Sequence, residues 1–180
     1  MDIVFKLFRG YVDYFLSESQ MVTKDNNNVS SDNTSNYTDK QLIVTLIDFF
    51  TGGSGTMSKT LAFAIYYCLR NPEVARKIQA ELDRETCDQD HVTLDDKTRL
   101  VYTEATLLEV ARLGSVLPIA PPRMCSDQVK IGTWTIPRGG KVQMNLYALH
   151  RNKEHWGDPH VFRPDRFISD GKIINVSFDA

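Results

Sequence analysis

The 180-residue chain is poor in cysteine, in net charge and in long apolar runs. Its three cysteines, Cys68, Cys87 and Cys125, are scattered, odd in number and contain no Cys-x-x-Cys pair. That pattern argues against a disulfide framework or a zinc site and reads as idle thiols in a reducing compartment. With 21 Lys and Arg against 23 Asp and Glu the net charge is -2, so the basic excess that a nucleic-acid partner requires is missing. No stretch reaches the ~18 consecutive apolar residues that suggest a membrane span. The opening segment, MDIVFKLFRGYVDYFLSESQ, is no signal peptide, because Asp2, Lys6 and Arg9 interrupt it and no cleavage site follows. Its apolar positions Val4, Phe5, Phe8, Val12, Phe15 and Leu16 fall at helical spacing and predict a packed amphipathic helix over 1–21.

What is present is enough for one domain with a core, since 42% of the residues are hydrophobic. Residues 22–37 are nearly all polar and read as a mobile loop. Asn-x-Ser/Thr triplets begin at Asn28, Asn33, Asn36 and Asn175. A polar composition generates such triplets by chance, and without a secretion signal they do not predict glycosylation. Thr38 and Gln41 form a capping-box pattern just before an apolar run. Within that run Gln41, Thr45, Asp48, Gly52, Thr56 and Lys59 recur at steps of three or four, the period of one helical face. One helix is therefore predicted from Asp39 to Arg70, about 48 Å long.

That helix contains DFFTGGSGTMSKT, residues 48–60. From Gly53 the text is one residue from a phosphate-binding loop, with Ser58 where a second glycine belongs. A phosphate loop needs a strand before it and a helix starting at the lysine, and the periodicity offers neither. Read as a helix interior, three glycines cost roughly 3 kcal/mol and predict a kink or local widening. They leave room either for a close helix or for something bulky. Further on, Asn71 and Pro72 open a helix with Val74, Ile78 and Leu82 on one face, residues 91–100 read as a loop, and a helix over 102–114 closes at Gly114. The period then changes to two. Val129, Ile131, Val142, Met144 and Leu146 alternate about a turn at Pro137 and Gly139–Gly140. The class is mainly α with a small antiparallel β-sheet. Glu109 and Arg112, three apart on a helix, are close enough to pair; alone, such a pair is ordinarily a solvated one.

The blocks GGSGTMSKTL, LLEVARL, LPIAPPRMCSD and TIPRGGKVQMNLYALHRNKEHWGDPHVFRPDRF, in that order, resemble the C-terminal half of a cytochrome P-450 of animal microsomal type. The resemblance covers nearly the whole chain from VDYFLSE onward and implies a partial cytochrome P-450 fold. It implies a haem cofactor and insertion of one oxygen atom of O2 into a lipophilic substrate. It also implies electrons from a flavin reductase, and the cytosolic face of the endoplasmic reticulum membrane, reached through an N-terminal anchor that these residues do not include. By the same resemblance Gly52, Gly53 and Thr56 match the segment that crosses the haem face, Thr56 helping to deliver protons to oxygen. Arg123 matches a haem-propionate partner. Glu109, Arg112 and Arg166 match a buried ion-pair network. Asp48, Val116, Leu117 and Ile119 match the substrate pocket. Two departures stand out. Gly55 occupies a position where the family usually has an acid, with Met57 where Thr or Ser is common. None of Cys68, Cys87 and Cys125 follows the Phe-x-x-Gly-x-Arg pattern that precedes the family's iron-ligating thiolate. The expectation is thus an incomplete, inactive piece of a monooxygenase. The other readings are a non-catalytic truncated product or interaction module and, more remotely, a phosphate-loop nucleotide binder.

Overall fold

The computed structural model describes residues 2–25, 38–86 and 91–174. The triplets at Asn28, Asn33, Asn36 and Asn175, Cys87 and most of the polar 22–37 segment lie outside the described residues. The chain divides into two compact units, 1–57 and 58–180, with the boundary inside a single long helix.

The first unit holds α1 (Asp2–Asp25) and the first half of α2 (Asp39–Arg70). Helix α1 runs on to Asp25, four residues into the segment whose polarity predicts a loop. Polarity does not end a helix: Val22–Asp25 contains neither Gly nor Pro, and each residue added to an existing helix closes another hydrogen bond. Phe15 is buried, and the Tyr11 ring meets Phe49 of α2 edge-on at 5.6 Å. Helix α2 begins as its cap predicts, with the Gln41 N–H donating to Thr38 Oγ1 at 3.2 Å. It stays α-helical through Gly52, Gly53 and Gly55, without the predicted widening. The glycine cost is one of entropy, and an intact backbone ladder absorbs it without a change of geometry. The continuous helix puts Lys59 in mid-helix, and no strand precedes it among the described residues, which speaks against the phosphate loop.

The second unit is organised around α4 (Val101–Gly114), which packs on α3 (Pro72–Glu85), on a 3-10 turn at Pro164–Phe167, and on the short strands β5 (Ile168–Ser169) and β6 (Lys172–Ile173). Ala105, Trp156 and Phe167 form the core, with Ile168 and Ile173 against it. On α3, Val74 is buried as predicted, but so is Glu81. Its carboxylate caps α4 from outside, accepting the Tyr102 and Thr103 N–H groups at 2.8 Å each and the Thr103 hydroxyl at 2.7 Å. An anion there satisfies donors that the helix cannot and complements its dipole. Asn71 does not cap α3 with its side chain, which instead donates to the Tyr67 carbonyl at 2.8 Å.

Gly114 also differs from expectation. The left-handed residue ending α4 is Ser115, at φ 42°. Gly114 is needed for space: a Cβ there would lie 3.0 Å from Phe63 Cδ2, whereas one at Gly52, Gly53 or Gly55 would meet nothing within 4 Å. Gly52→Ala should therefore raise stability by ~0.5–1 kcal/mol, while Gly114→Ala should give no such gain. Urea midpoints of the two variants check this, and an equal gain in both would show that Phe63 does not press on Gly114.

Residues 91–100 are not simply a loop. Leu94–Thr98 is a 3-10 turn opened by a capping box in which Asp96 Oδ2 accepts the Thr93 N–H at 2.8 Å and Arg99 pairs with the other oxygen. The Thr93 backbone bond first, then the bonds from Arg99 and the Thr93 hydroxyl, lower the Asp96 carboxyl to about 2. A depressed carboxylate contributes stability above its unfolded value of about 3.9 and loses it as pH falls toward 2. Asp96→Asn should accordingly flatten the loss of stability between about pH 5 and pH 2, measured as urea midpoints at both ends.

The β structure is three separate two-stranded ladders. β1 (Arg123–Met124) pairs with β4 (Lys141–Val142), β2 (Val129–Ile131) with β3 (Trp134–Ile136), and β5 with β6, all antiparallel. The predicted hairpin turn at Pro137 and Gly139–Gly140 is a real turn, closed by the Gly140 N–H on the Pro137 carbonyl at 3.0 Å. It joins β3 to β4, however, and those strands do not pair with each other. The hairpin itself reverses at Gly132–Thr133, where Gly132 supplies the positive φ of 56°. Met144 lies outside any strand, and Leu146 opens the short helix α5 (Leu146–Leu149), which is followed by α6 (Lys153–Trp156).

Candidate functional site

Glu109 and Arg112 face inward from α4, in contrast to the solvated surface pair that their spacing alone suggests. Glu109 is fully buried and Arg112 is 2% exposed. Arg112 grips the carboxylate with two bonds, Nε to Oε2 at 2.7 Å and Nη2 to Oε1 at 2.8 Å. Arg166, from the Pro164–Phe167 turn, adds Nε to Oε1 at 3.1 Å, and the Arg163 backbone N–H adds 2.9 Å to the same oxygen. Two guanidinia therefore share one carboxylate. Most of their remaining bonds go to main-chain carbonyls: Arg112 to His150 and Pro159 at 2.7 and 2.8 Å, Arg166 to Trp156, Asp158 and Val161 at 3.0 to 3.2 Å. The network thus fastens an irregular stretch, 150–166, whose backbone has no sheet or long helix to pair with.

Three members of this cluster are not evident from the sequence. Asp158 pairs with Arg166 at 2.9 Å and Arg163 at 3.1 Å. Desolvation pushes its carboxyl up, but the bond and charge from Arg166, with Arg163, outweigh this and hold it below its ordinary value. Trp156 is buried, with the guanidinia of Arg112 and Arg166 over its ring at 4.8 and 5.7 Å. The His150 ring has a buried Nδ1 without a hydrogen-bond partner among the described residues, and burial, with Arg112 and Arg151 nearby, pushes its pKa down. The density of charge and aromatics over 150–167 was the only sequence signal for these three.

The remaining predicted residues occupy surfaces. In the first unit, Asp48, Gly52, Gly53, Gly55 and Thr56 are all exposed along α2. The Thr56 hydroxyl donates to the Gly52 carbonyl at 2.7 Å. The glycines offer open backbone that a flat group could approach. In the second unit, Arg123 is exposed, and its guanidinium has no hydrogen-bond or ion-pair partner among the described residues, so it is free to take a carboxylate bidentately. Val116 is half-buried, while Leu117 and Ile119 stand about half exposed. Within each unit these features suit a planar apolar cofactor bearing carboxylates. Among the described residues no group of three or more His, Cys, Asp or Glu could hold a metal ion, and no helix is long and apolar enough to cross a membrane.

The sequence profile described as Cytochrome P450 matches residues 9–179. Mouse cytochrome P450 2J5 is 35% identical over 92% of this chain and 31% of its own length. A steroid 17-alpha-hydroxylase/17,20 lyase of the frog Rana dybowskii is 37% identical over 90% of the chain and 31% of its own. A zebra fish cytochrome P450 structure with progesterone superposes with a TM-score of 0.70 and 31% identity, over 77% of this chain and 33% of that one. The chain spans about a third of the length of the curated relatives it matches. With a profile match over nearly all of its residues and relatives of this identity, the chain belongs to the cytochrome P450 family.

Proposed function

We propose that these residues form part of a haem-thiolate monooxygenase that inserts one oxygen atom of O2 into a lipophilic substrate, with electrons from a flavin reductase, at the cytosolic face of the endoplasmic reticulum membrane. The observation that carries this reading is the exposed run Gly52–Thr56, where open helix backbone stands beside a threonine hydroxyl that donates to the Gly52 carbonyl. Bound haem would supply the oxidising chemistry. On the family's pattern Gly52 and Gly53 would leave room for it in the first unit, and Arg123, in the second, would be the residue to pair with a propionate. Thr56 would be the residue to pass a proton at the reacting face, exchanging its bond to the Gly52 carbonyl to do so. Gly55 lacks the carboxylate that the family usually sets there, so a proton relay would fall to Thr56 and solvent. Leu117 and Ile119, about half exposed, would offer apolar surface to such a substrate. That relatives include steroid hydroxylases supports a substrate of steroid-like size.

The 180 residues contain no cysteine in the iron-ligating setting, so on their own they should give no thiolate-type Soret band in the ferrous–CO spectrum. The same residues within a polypeptide that also carries the Phe-x-x-Gly-x-Arg-x-Cys-x-Gly loop should give one. In that longer polypeptide Thr56→Ala should consume reductant with less product. A thiolate-type band from the 180 residues alone would overturn the assignment of the ligand. Absence of haem binding by the longer polypeptide would favour the second reading, a non-catalytic module, for which the loss of an acid at Gly55 already speaks.

A further inference from the structure

Beyond α4 the chain enters a stretch with no hydrogen-bonded ladder of its own. Residues 115–122 form neither helix nor strand, so their place is set by the few groups that reach them. The turn out of the helix is made at Ser115, whose φ of 42° and ψ of 50° put a residue bearing a Cβ in the left-handed region. That conformation is disfavoured outside glycine and persists only where the surroundings hold it.

Arg151 holds this one. Its Nη2 donates to the Leu113 carbonyl and its Nη1 to Ser115 Oγ, each at 2.8 Å. One guanidinium therefore spans the joint between the last turn of α4 and the chain beyond it. The Ser115 hydroxyl in turn donates to the Arg112 carbonyl at 3.0 Å. The Tyr147 ring lies against the guanidinium, 3.8 Å from its carbon to the ring centroid, and limits its swing. The Tyr147 N–H donates to the Pro118 carbonyl at 2.9 Å, and the Ala120 N–H to the Met144 carbonyl at 3.0 Å. Tyr147 and Arg151 thus fix two points of the segment together. Between and just past those points stand Leu117 and Ile119, 50% and 52% exposed, while Ala120 is buried. The apolar pair projects from a backbone whose course is decided at the Arg151 fork.

We propose that Arg151 is a positioning residue for substrate selection: by bridging Leu113 and Ser115 while stacked on Tyr147, it sets where Leu117 and Ile119 stand and so which apolar molecules fit against them. This rests on the reading of residues 116–119 as a substrate wall. A lysine cannot replace Arg151, because an ammonium is a point charge, whereas the bridge needs a planar fork that bonds two acceptors while lying on a ring.

Arg151→Lys tests the bridge in the 180-residue chain and the selection in the longer polypeptide that carries the cysteine loop. In the chain, hydrogen exchange at the Ala120 and Tyr147 amides should quicken about tenfold, as the loss of one charge-assisted hydrogen bond allows. Amides at 105–110, in the middle of α4, should exchange as before, because the Glu109 network holds that helix separately. In the longer polypeptide, the ligand-induced shift of the haem Soret band gives dissociation constants for progesterone, a rigid apolar probe, and for lauric acid, a flexible one. A rigid ligand cannot follow a displaced wall and a flexible one can. Progesterone should therefore weaken about tenfold and lauric acid less than about threefold. An arginine that only stabilised the fold would lower the yield of folded protein and leave the ratio of the two affinities unchanged. Tyr147→Leu, which keeps both bonds of the fork and removes the ring, should shift exchange and ratio in the same direction by less, and it carries both readouts should Arg151→Lys fail to fold. Unaltered exchange at Ala120 and Tyr147, or an unaltered ratio, would overturn the proposal while the substrate wall stood. Absence of a Soret shift with either probe in the unsubstituted polypeptide would overturn the reading of 116–119 itself, and the proposal with it.

Discussion

Replacing Glu109 by Ala should cost ~3–5 kcal/mol, because it leaves Arg112 and Arg166 buried without their shared counter-ion. Arg112 is 2% exposed and the Arg166 side chain 6%, so water cannot replace the lost carboxylate. The Arg163 N–H would lose its acceptor as well. Against a total stability of about 5–15 kcal/mol for a domain this is a large fraction, equivalent to a fall in Tm of roughly 6–20 °C for a chain of this size. Glu109→Gln tests which part of the loss is charge. The amide keeps the shape and one acceptor oxygen, but it leaves two cations sharing a neutral group, so most of the destabilisation should remain. Urea unfolding followed by circular dichroism measures both. A midpoint unmoved in Glu109→Ala would mean that the carboxylate is not holding the two arginines in solution.

Trp156→Ala should be comparably damaging, at ~3–5 kcal/mol, for a different reason. Its ring fills the core between Ala105 and Phe167, lies under both guanidinia and donates from Nε1 to the Leu149 carbonyl at 3.0 Å. Truncation opens a cavity directly beneath the ion network, and both arginines lose their aromatic face. Trp156→Phe should cost less, about 1–2 kcal/mol, since it mainly removes a donor and part of the ring. The two large effects should not add. Arg112 and Arg166 touch both Glu109 and Trp156, so a double-mutant cycle between Glu109→Ala and Trp156→Ala should show coupling of at least ~0.5 kcal/mol. Strict additivity would separate the network from the core below it.

The long helix was legible because its polar positions recur every three or four residues over 32 residues, and that period has no β counterpart. The spacing of Glu109 and Arg112 made a pair predictable, and the order of the motif blocks made the family recognisable. Spacing could not say that the pair is buried. That depends on residues 150–166 folding over α4, and such irregular chain carries no period to read. The same limit explains the hairpin. A glycine at 132 and the pairs at 137–140 both look like turns locally, and only pairing with distant β1 decides that the second one leads away. It also explains Gly114, which resembles a helix stop in sequence but is small because Phe63 lies against it. The sequence by itself determined the periodic elements and the family, since both are written in local order. Only the tertiary structure decided which charges lose their water, which glycines face open space and which apolar face is left uncovered, because burial is set by segments far apart along the chain.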